Sequence, residues 1–511
     1  MSPPPEPFLD FDDEALVWWD RPAWSEQPPR AVRSAHPVRP RAAPRTLAGD
    51  LARLRSGLAP HGAALAAASL LALAALVAIV VVLRVADGAG PPVGRETAAS
   101  PARPGNEARA PSPPRSPRLL REGHRGAAVR DLQHALAALG YYEQPADGAF
   151  GDGTAAAVGA FQSASGLLAD GVVGATTTAA LRDAVAARAA IDAGTAEEGL
   201  EEAVAAGRLG AEAAGRHRRT LAGARAALAE LPPGRSAVVA AVLRSVAVHA
   251  DAYDGPRSLT LFGMLEANVD HLRANALPPS PRDMRDGDGV VYRFFAGHGF
   301  QFHPLASFSS LNGLARRGLR TEAGALAEAL VARGIPVGNA LAWEYFFPFG
   351  GPSRWSSGFA QAIGAQALAR AGELLDDPAL LARARASFRL VPRDLTLDLP
   401  YGAWIQEYGY SEMPILNAHL QSIVSLTEYV RITEDEQARV LVESMAAAAR
   451  SLLHRFDTGC WSRYSLDGAP AGAHYHAYHV RLLRQLARIL DDPIWGETAS
   501  RWAAYEAAGG C

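Results

Sequence analysis

The sequence predicts a mainly α-helical chain with a disordered N-terminus, one transmembrane helix, a small repeat-built module and an (α/α) toroid-like C-terminal domain. Three observations carry this expectation. An uncharged apolar run of 22 residues stands at 62–83. Two half-similar segments come after it, each an amphipathic stretch that ends in an Asp-Gly turn. Beyond about 186 helical patterning recurs and strand-like alternation is scarce. A chain of 511 residues, 49% of them hydrophobic, suits two or three domains rather than one. A formal net charge of −3 gives no support to nucleic-acid binding. Every basic side chain other than histidine is arginine, which excludes P-loop, Schiff-base and lysine general-base chemistry. The two cysteines, Cys460 and Cys511, cannot build a disulfide framework or a cysteine-rich zinc site, and the sequence leaves open whether they pair.

Residues 1–57 are proline-rich and lack helical periodicity, as a disordered cytoplasmic tail would. They divide by charge: 1–26 carry seven Asp/Glu and one Arg, and 27–57 carry seven Arg and one Asp. The arginine half suits anionic headgroups, and the acidic aromatic stretch Phe8 to Trp19 has the character of a docking motif. The run Gly62 to Leu83, flanked by Arg55 and Arg84, is long enough to cross a ~30 Å hydrocarbon layer as a helix. With 61 residues before it, it reads as an uncleaved signal anchor, placed at 58–86. Arginine is denser before the run than after it, which favours a cytoplasmic N-terminus. Residues 87–118, rich in Pro, Ala and Arg, read as an extended linker.

At 119–184 the repeat appears. The first half runs Gly126-Ala127-Ala128-Val129-Arg130-Asp131-Leu132-Gln133, Leu136, Leu139-Gly140-Tyr141 and Asp147-Gly148-Ala149-Phe150-Gly151. The second runs Thr154, Ala157-Val158, Phe161-Gln162, Gly166-Leu167, Asp170-Gly171-Val172-Val173-Gly174 and Thr176. Val129, Leu132, Leu136 and Leu139 form the stripe of a core-facing helix, and the turn glycines supply positive φ. These residues resemble the peptidoglycan-binding-like domain of bacterial wall hydrolases. The resemblance implies a three-helix bundle with peptidoglycan as partner. It also implies that everything beyond Leu83 lies outside the cytoplasmic membrane of a bacterium, in a single-pass topology.

The region 185–511 reads as helical. Stretches at Leu314–Arg333, Gly358–Leu375, Ala379–Leu390, Ile415–Arg431, Glu436–His454 and Val480–Leu490 suit amphipathic helices. Aromatic residues crowd the loops between them: Trp343, Tyr345, Phe346, Phe347, Trp355, Trp404, Tyr408, Tyr410, Tyr464, Tyr475 and Tyr478. Helical hairpins with aromatic loops at one end predict the toroid-like arrangement and a cleft suited to sugars.

Three stretches say more: Trp355-Ser356-Ser357-Gly358-Phe359-Ala360-Gln361; Trp404-Ile405-Gln406-Glu407-Tyr408 with Leu416-Asn417; and Asp457-Thr458-Gly459, Tyr464 and His474-Tyr475-His476-Ala477-Tyr478-His479 before the helix that holds Trp502. In order and spacing they resemble the C-terminal domain of D-glucuronyl C5-epimerase over roughly 340–505. The resemblance implies an isomerase that removes the C5 proton of a uronic acid in a surface polysaccharide and returns one to the opposite face. Such a reaction needs two proton-transfer groups on either side of one carbon and stabilisation of charge spreading into the carboxylate. By position, the resemblance makes Glu407 a catalytic acid/base, Tyr408 its assistant and Tyr475 the group on the other face. It places Trp355, Gln361, Trp404, Asn417, Tyr464, His476, His479 and Arg481 around the substrate, with His476, His479 and Arg481 supplying a cationic field. No cofactor is required.

His474, His476 and His479 have a spacing that can bind zinc from a helix, but no fourth ligand accompanies them, so no metal is assigned. Two departures from the family stand out. Its β-rich domain has no evident counterpart. Its Tyr-Asp-Leu-Arg loop reads Tyr464-Ser465-Leu466-Asp467 here, which sets a carboxylate in place of an arginine that contacts substrate and calls for Arg354, Arg463 or Arg481 as substitute. A polysaccharide lyase and a non-catalytic glycan- or peptidoglycan-binding scaffold stay open as alternatives, as does a homodimer.

Overall fold

The computed structural model describes residues 119–511. The expected tail, anchor and linker, 1–118, lie outside the described residues. Among the described residues no helix is long and apolar enough to cross a membrane. The longest helix, Ala175–Ala205, carries Arg182, Asp183, Arg188, Asp192 and four glutamates, and such a charge load suits water and protein rather than hydrocarbon. The expected fold class is corrected to this extent: the described residues hold no membrane-spanning helix, and the signal anchor, the membrane as partner and the single-pass topology, which rest on residues 62–83, draw no support from them. What stands is a mostly helical protein.

The first three helices are α1 (Ala127–Ala138), α2 (Asp152–Ala164) and α3 (Ala175–Ala205). Val129, Leu132, Leu136, Phe150, Val158, Phe161 and Leu181 close a small core among them. The repeat has a physical basis in two glutamines. Gln133 Nε2 donates to Asp147 Oδ1 (2.9 Å), the Ala149 carbonyl (3.0 Å) and Thr154 Oγ1 (3.1 Å), and its Oε1 accepts Gly148 N–H (2.8 Å). Gln162 repeats the pattern with Asp170 (2.9 Å), Val172 (2.9 Å), Thr177 (3.2 Å) and Gly171 N–H (3.0 Å). Each glutamine thus clamps the Asp-Gly turn that comes after its own helix. The boundary expected at 184/185 falls inside α3, whose later residues Val185 to Ala203 enter the main core.

That core continues through α4 (Ala211–Glu230), α5 (Pro233–Val248) and α6 (Gly255–Ala274). An antiparallel sheet comes next, β1 (Arg282–Arg285), β2 (Val291–Phe295) and β3 (Gly299–Phe302), with Arg293 opposite both Asp283 and Gln301. Arg244 Nη1 donates to the Ala138 carbonyl (3.1 Å) and Gly297 N–H to His134 Nδ1 (3.2 Å), so α1 is fastened to α5 and to the turn between β2 and β3.

Four helical hairpins complete the chain: α7 (Pro304–Arg316) with α8 (Arg320–Ala332), α9 (Gly358–Leu375) with α10 (Pro378–Asp394), α11 (Leu416–Thr433) with α12 (Glu436–Leu452), and α13 (Ala473–Ile489) with α14 (Pro493–Ala507). The first helix of each hairpin packs on the first helix of the next. Arg370 and Gln366 of α9 bind Glu428 of α11 (3.0 and 2.7 Å) and Asn312 of α7 (3.0 and 3.1 Å), which satisfies a fully buried polar network across three helices. The stretch expected as one helix from Leu314 is two, because Gly318 takes φ 68° between them. Two β-hairpins precede inner helices: β4 (Ile335–Val337) with β5 (Ala340–Ala342) before α9, and β6 (Thr396–Leu399) with β7 (Gly402–Ile405) before α11. Cys460 and Cys511 form a disulfide, Cα atoms 5.4 Å apart, that fastens the C-terminus to the loop before α13.

Candidate active site

Every side chain of the candidate site comes from a segment that leads into an inner helix or from such a helix's first turn. His303 caps α7, accepting Ala306 N–H at Nδ1 (3.1 Å), and Ser357 caps α9, accepting Ala360 N–H at Oγ (3.1 Å). Glu407 and Tyr408 come directly after β7, Tyr464 lies in the loop before α13, and Tyr475 is in the first turn of α13. His303, Ser357, Glu407 and Tyr408 line one pocket together with Phe295, Leu305, Tyr345, Phe347, Phe349 and Trp355.

The two motif segments that carry Trp355 and Glu407 are held together by backbone. Gly358 N–H donates to the Gln406 carbonyl (2.8 Å) and Gly409 N–H to the Ser356 carbonyl (2.9 Å). A Cβ on Gly358 would stand 2.6 Å from the Gln406 oxygen, and one on Gly409 2.6 Å from the Ser356 oxygen. Only glycine permits that approach.

Glu407 is 5% exposed. Burial pushes its carboxyl up to about 7, against the hydrogen bonds of Tyr464 and Tyr408, which favour the carboxylate. Tyr464 Oη lies 3.4 Å from Glu407 Oε2, and its ring lies 4.7 Å from that of Tyr475. Burial and the neighbouring Glu407 charge push the phenols of Tyr408 and Tyr464 well above their ordinary range, and Tyr475 is close enough to both to add to the effect. Glu407, Tyr408, Tyr464 and Tyr475 thus form one cluster. A carboxyl poised near neutrality beside several phenols can take and return protons at neutral pH.

The other residues expected at the substrate divide between the pocket and the packed interior. Trp355 lines the pocket, stacked on Tyr345 at 4.2 Å. Gln361 points inward, donating to the Leu341 carbonyl (2.6 Å) and to Ser387 (3.0 Å). Trp404 is fully buried, stacked on His419 at 3.7 Å. Asn417, also fully buried, has neither amide atom hydrogen-bonded. His476 is held between Ser462 (Nδ1, 2.8 Å) and the Trp502 carbonyl (Nε2, 2.9 Å), and His479 shares the Ser462 hydroxyl at 2.9 Å. Burial lowers the His479 ring to about 3, so it carries no charge at neutral pH. Arg481 sits over the Tyr478 ring at 4.9 Å. Of the guanidiniums considered as replacements, Arg463 donates to the Gly468 carbonyl (2.5 Å) and Arg354 lies 3.9 Å from Glu344. Asp467 is ion-paired with Arg455. Among the described residues no cluster of His, Cys, Asp or Glu could hold a metal. Sequence reasoning passed over His303 and Ser357 as site residues; the His-Pro pair at a helix start was the available signal for the first.

Comparison with known proteins assigns two regions of the chain. Residues 338–504 match the family model of the D-glucuronyl C5-epimerase C-terminus, and residues 125–181 match that of a peptidoglycan binding domain. The chain therefore carries a C-terminal D-glucuronyl C5-epimerase-like domain preceded by a peptidoglycan-binding-like domain. A D-glucuronyl C5-epimerase of Caenorhabditis elegans is 29% identical over 179 residues, which are 30% of this chain and 29% of that protein. The chain thus matches less than a third of the length of that relative. Among solved structures, the endo-β-1,4-glucanase CMCax of Acetobacter xylinum superposes over 42% of this chain and 69% of that one, with 16% identity and a TM-score of 0.29.

Proposed function

We propose that this protein is a uronyl C5-epimerase acting on uronic acid residues within a polysaccharide. One of the two groups, Glu407 or Tyr475, takes the C5 proton. The electron pair left on C5 spreads into the C6 carboxylate, and the other group returns a proton to the opposite face. Atoms and electrons balance without an oxidant, because only the configuration at C5 changes. The single observation that supports this reading is the Glu407 carboxyl, buried and titrating near 7, in one cluster with the phenols of Tyr408, Tyr464 and Tyr475. The N-caps of two inner helices, His303 and Ser357, line the same pocket and bring the positive ends of two helices toward an anionic sugar. The peptidoglycan-binding-like domain supplies a separate glycan contact.

The test is incubation of glucuronate-containing polymers with the protein in deuterated water. Epimerisation incorporates deuterium at C5 and leaves the chain length unchanged. Elimination instead cleaves the chain and gives an unsaturated product absorbing in the near ultraviolet, and that outcome replaces the epimerase with a lyase. No deuterium in any uronate polymer removes the catalytic reading.

A further inference from the structure

We propose that segment 348–354 is a lid over the Glu407 pocket, with Phe349 as its stopper and Tyr410 as the positioning residue that latches it. The inference rests on the uronyl C5-epimerase reading for the polymer that enters, and on the walls of the pocket for its geometry. The space enclosed beside Glu407 is about 10 Å³, room for one water molecule and far too small for a sugar ring. A uronate inside a polysaccharide also carries a neighbour on each side, so it reaches Glu407 only if a wall moves. Every lining residue but one is buried. Phe349 alone is part-exposed, its ring tilted over that of Tyr408 at 5.7 Å.

Most of the walls are fixed. Phe295 stands on β2, His303 and Ser357 cap helices, and the backbone hydrogen bonds of Gly358 and Gly409 hold the Glu407 segment to the start of α9. Residues 346–354 differ, because they form a loop without helix or strand whose two ends meet. Tyr345 N–H donates to the Trp355 carbonyl (2.8 Å), Trp355 N–H returns the bond (3.2 Å), and the two rings stack. Compact loops with closed ends are frequently functional, and loops that close over a substrate exclude water from it. The inner part of this loop is tied down, since Trp355 Nε1 donates to the Phe347 carbonyl (2.9 Å). Beyond it Pro348, Gly350, Pro352 and Arg354 are exposed, and Gly350 takes φ 69°. Tyr410 fastens this outer part. Its hydroxyl donates to the Phe349 carbonyl, and its ring lies so close to Gly351 that a Cβ there would stand 2.6 Å from it. Arg354, 3.9 Å from Glu344, adds a loose ion pair at the far end. Release of the Tyr410 contacts frees Phe349 to swing off Tyr408 while Phe347 and Trp355 stay in place.

The accessibility of a thiol inside the pocket tests the lid. Ser357→Cys supplies that thiol, and because Cys460 and Cys511 are tied to each other it alone reacts with dithiobis(nitrobenzoate), a bulky aromatic disulfide. Ser425→Cys, at a fully buried position of α11, is the reference for general loosening. In the full-length protein, Tyr410→Phe removes the latching hydrogen bond and Gly351→Ala pushes the loop off the Tyr410 ring. Each is expected to speed labelling at Ser357→Cys by about 3- to 10-fold and to leave labelling at Ser425→Cys unchanged. An unchanged rate at the pocket thiol in either variant, or equal acceleration at both thiols, overturns the lid. The second readout is C5 deuterium exchange on a polymer of alternating glucuronate and N-acetylglucosamine. A lid that opens more readily admits polymer better but closes over it less well, so Tyr410→Phe is expected to lower KM and kcat together, by about 3- to 10-fold each. A KM that is unchanged or raised overturns the proposal. If the wild-type chain exchanges no deuterium, the epimerase reading falls, and the labelling rates alone decide whether the loop is a lid.

Discussion

The Glu407 carboxyl holds its proton to about pH 7 because water is excluded from it. The same burial carries a cost in stability. A carboxyl whose pKa is raised on folding contributes stability fully below its unfolded value, and that contribution is lost as pH rises through about 7. Glu407→Gln is therefore expected to abolish C5 exchange from one of the two epimers and yet to gain stability over the wild type between pH 5 and pH 8.5, by about 3 kcal/mol. Melting curves across that range check it; parallel pH profiles would contradict the assigned burial effect. Tyr475→Phe is expected to lower exchange from the other epimer by about 10²–10⁴ with little change in melting temperature, measured by deuterium exchange on each epimer separately. At this scale the sequence was informative where motif order marked chemistry: Glu407, Tyr408, Tyr464 and Tyr475 come together. It was less so for Gln361, Trp404, His476 and His479. An ordered motif marks side chains that hold a segment in place as readily as side chains that face its ligand. His303 was hidden because it precedes the first motif by some fifty residues and only the sheet β1–β3 and helix α7 bring it there.

Between elements, the site depends on backbone contacts that leave no chemical signature in a motif. Gly358 is such a contact, since a Cβ there would collide with the Gln406 carbonyl beside Glu407. Gly358→Ala is expected to cost about 1–3 kcal/mol and to reduce exchange as well, because relief of the clash moves Glu407. Unchanged exchange kinetics in that variant would show that the segment has slack. In the N-terminal module the clamping glutamines make the complementary point. Gln133→Ala removes all the bonds by which this side chain holds the Asp147 turn and is expected to destabilise the module by about 1–3 kcal/mol. Faster amide exchange in α1 and α2, with the hairpin region unaffected, is the expected readout. Helix boundaries were legible where apolar spacing was regular, as at Gly358–Leu375, and were missed at Gly318, where one residue with positive φ divides a periodic stretch. Short strands escaped notice because three- and four-residue hairpins show too few alternations to register against loop composition.

At the scale of the whole molecule, the hairpins share one core while loops at the starts of the inner helices carry the candidate site. Two cysteines 51 residues apart, undecided in the sequence because nothing in a spacing reveals a fold, prove to close the C-terminus onto the loop that leads to Tyr464. Reduction, or Cys511→Ser, is expected to lower the unfolding free energy by about 2–4 kcal/mol without altering the exchange rate at 25 °C. Hydrophobicity alone led to the expectation of a membrane span at 62–83, whereas no helix among the described residues, 119–511, is long and apolar enough to cross a membrane.

The most direct test of two-sided proton transfer tracks C5 label out of each epimer separately. Polymers carrying C5-deuterated glucuronate or C5-deuterated iduronate are incubated in ordinary water with wild-type, Glu407→Gln and Tyr475→Phe protein. If the two groups serve opposite faces of C5, each variant loses wash-out from one epimer and retains it from the other, and the two variants have opposite preferences. Equal loss from both epimers in both variants, or no loss in either, would contradict the assignment of Glu407 and Tyr475 to the two faces.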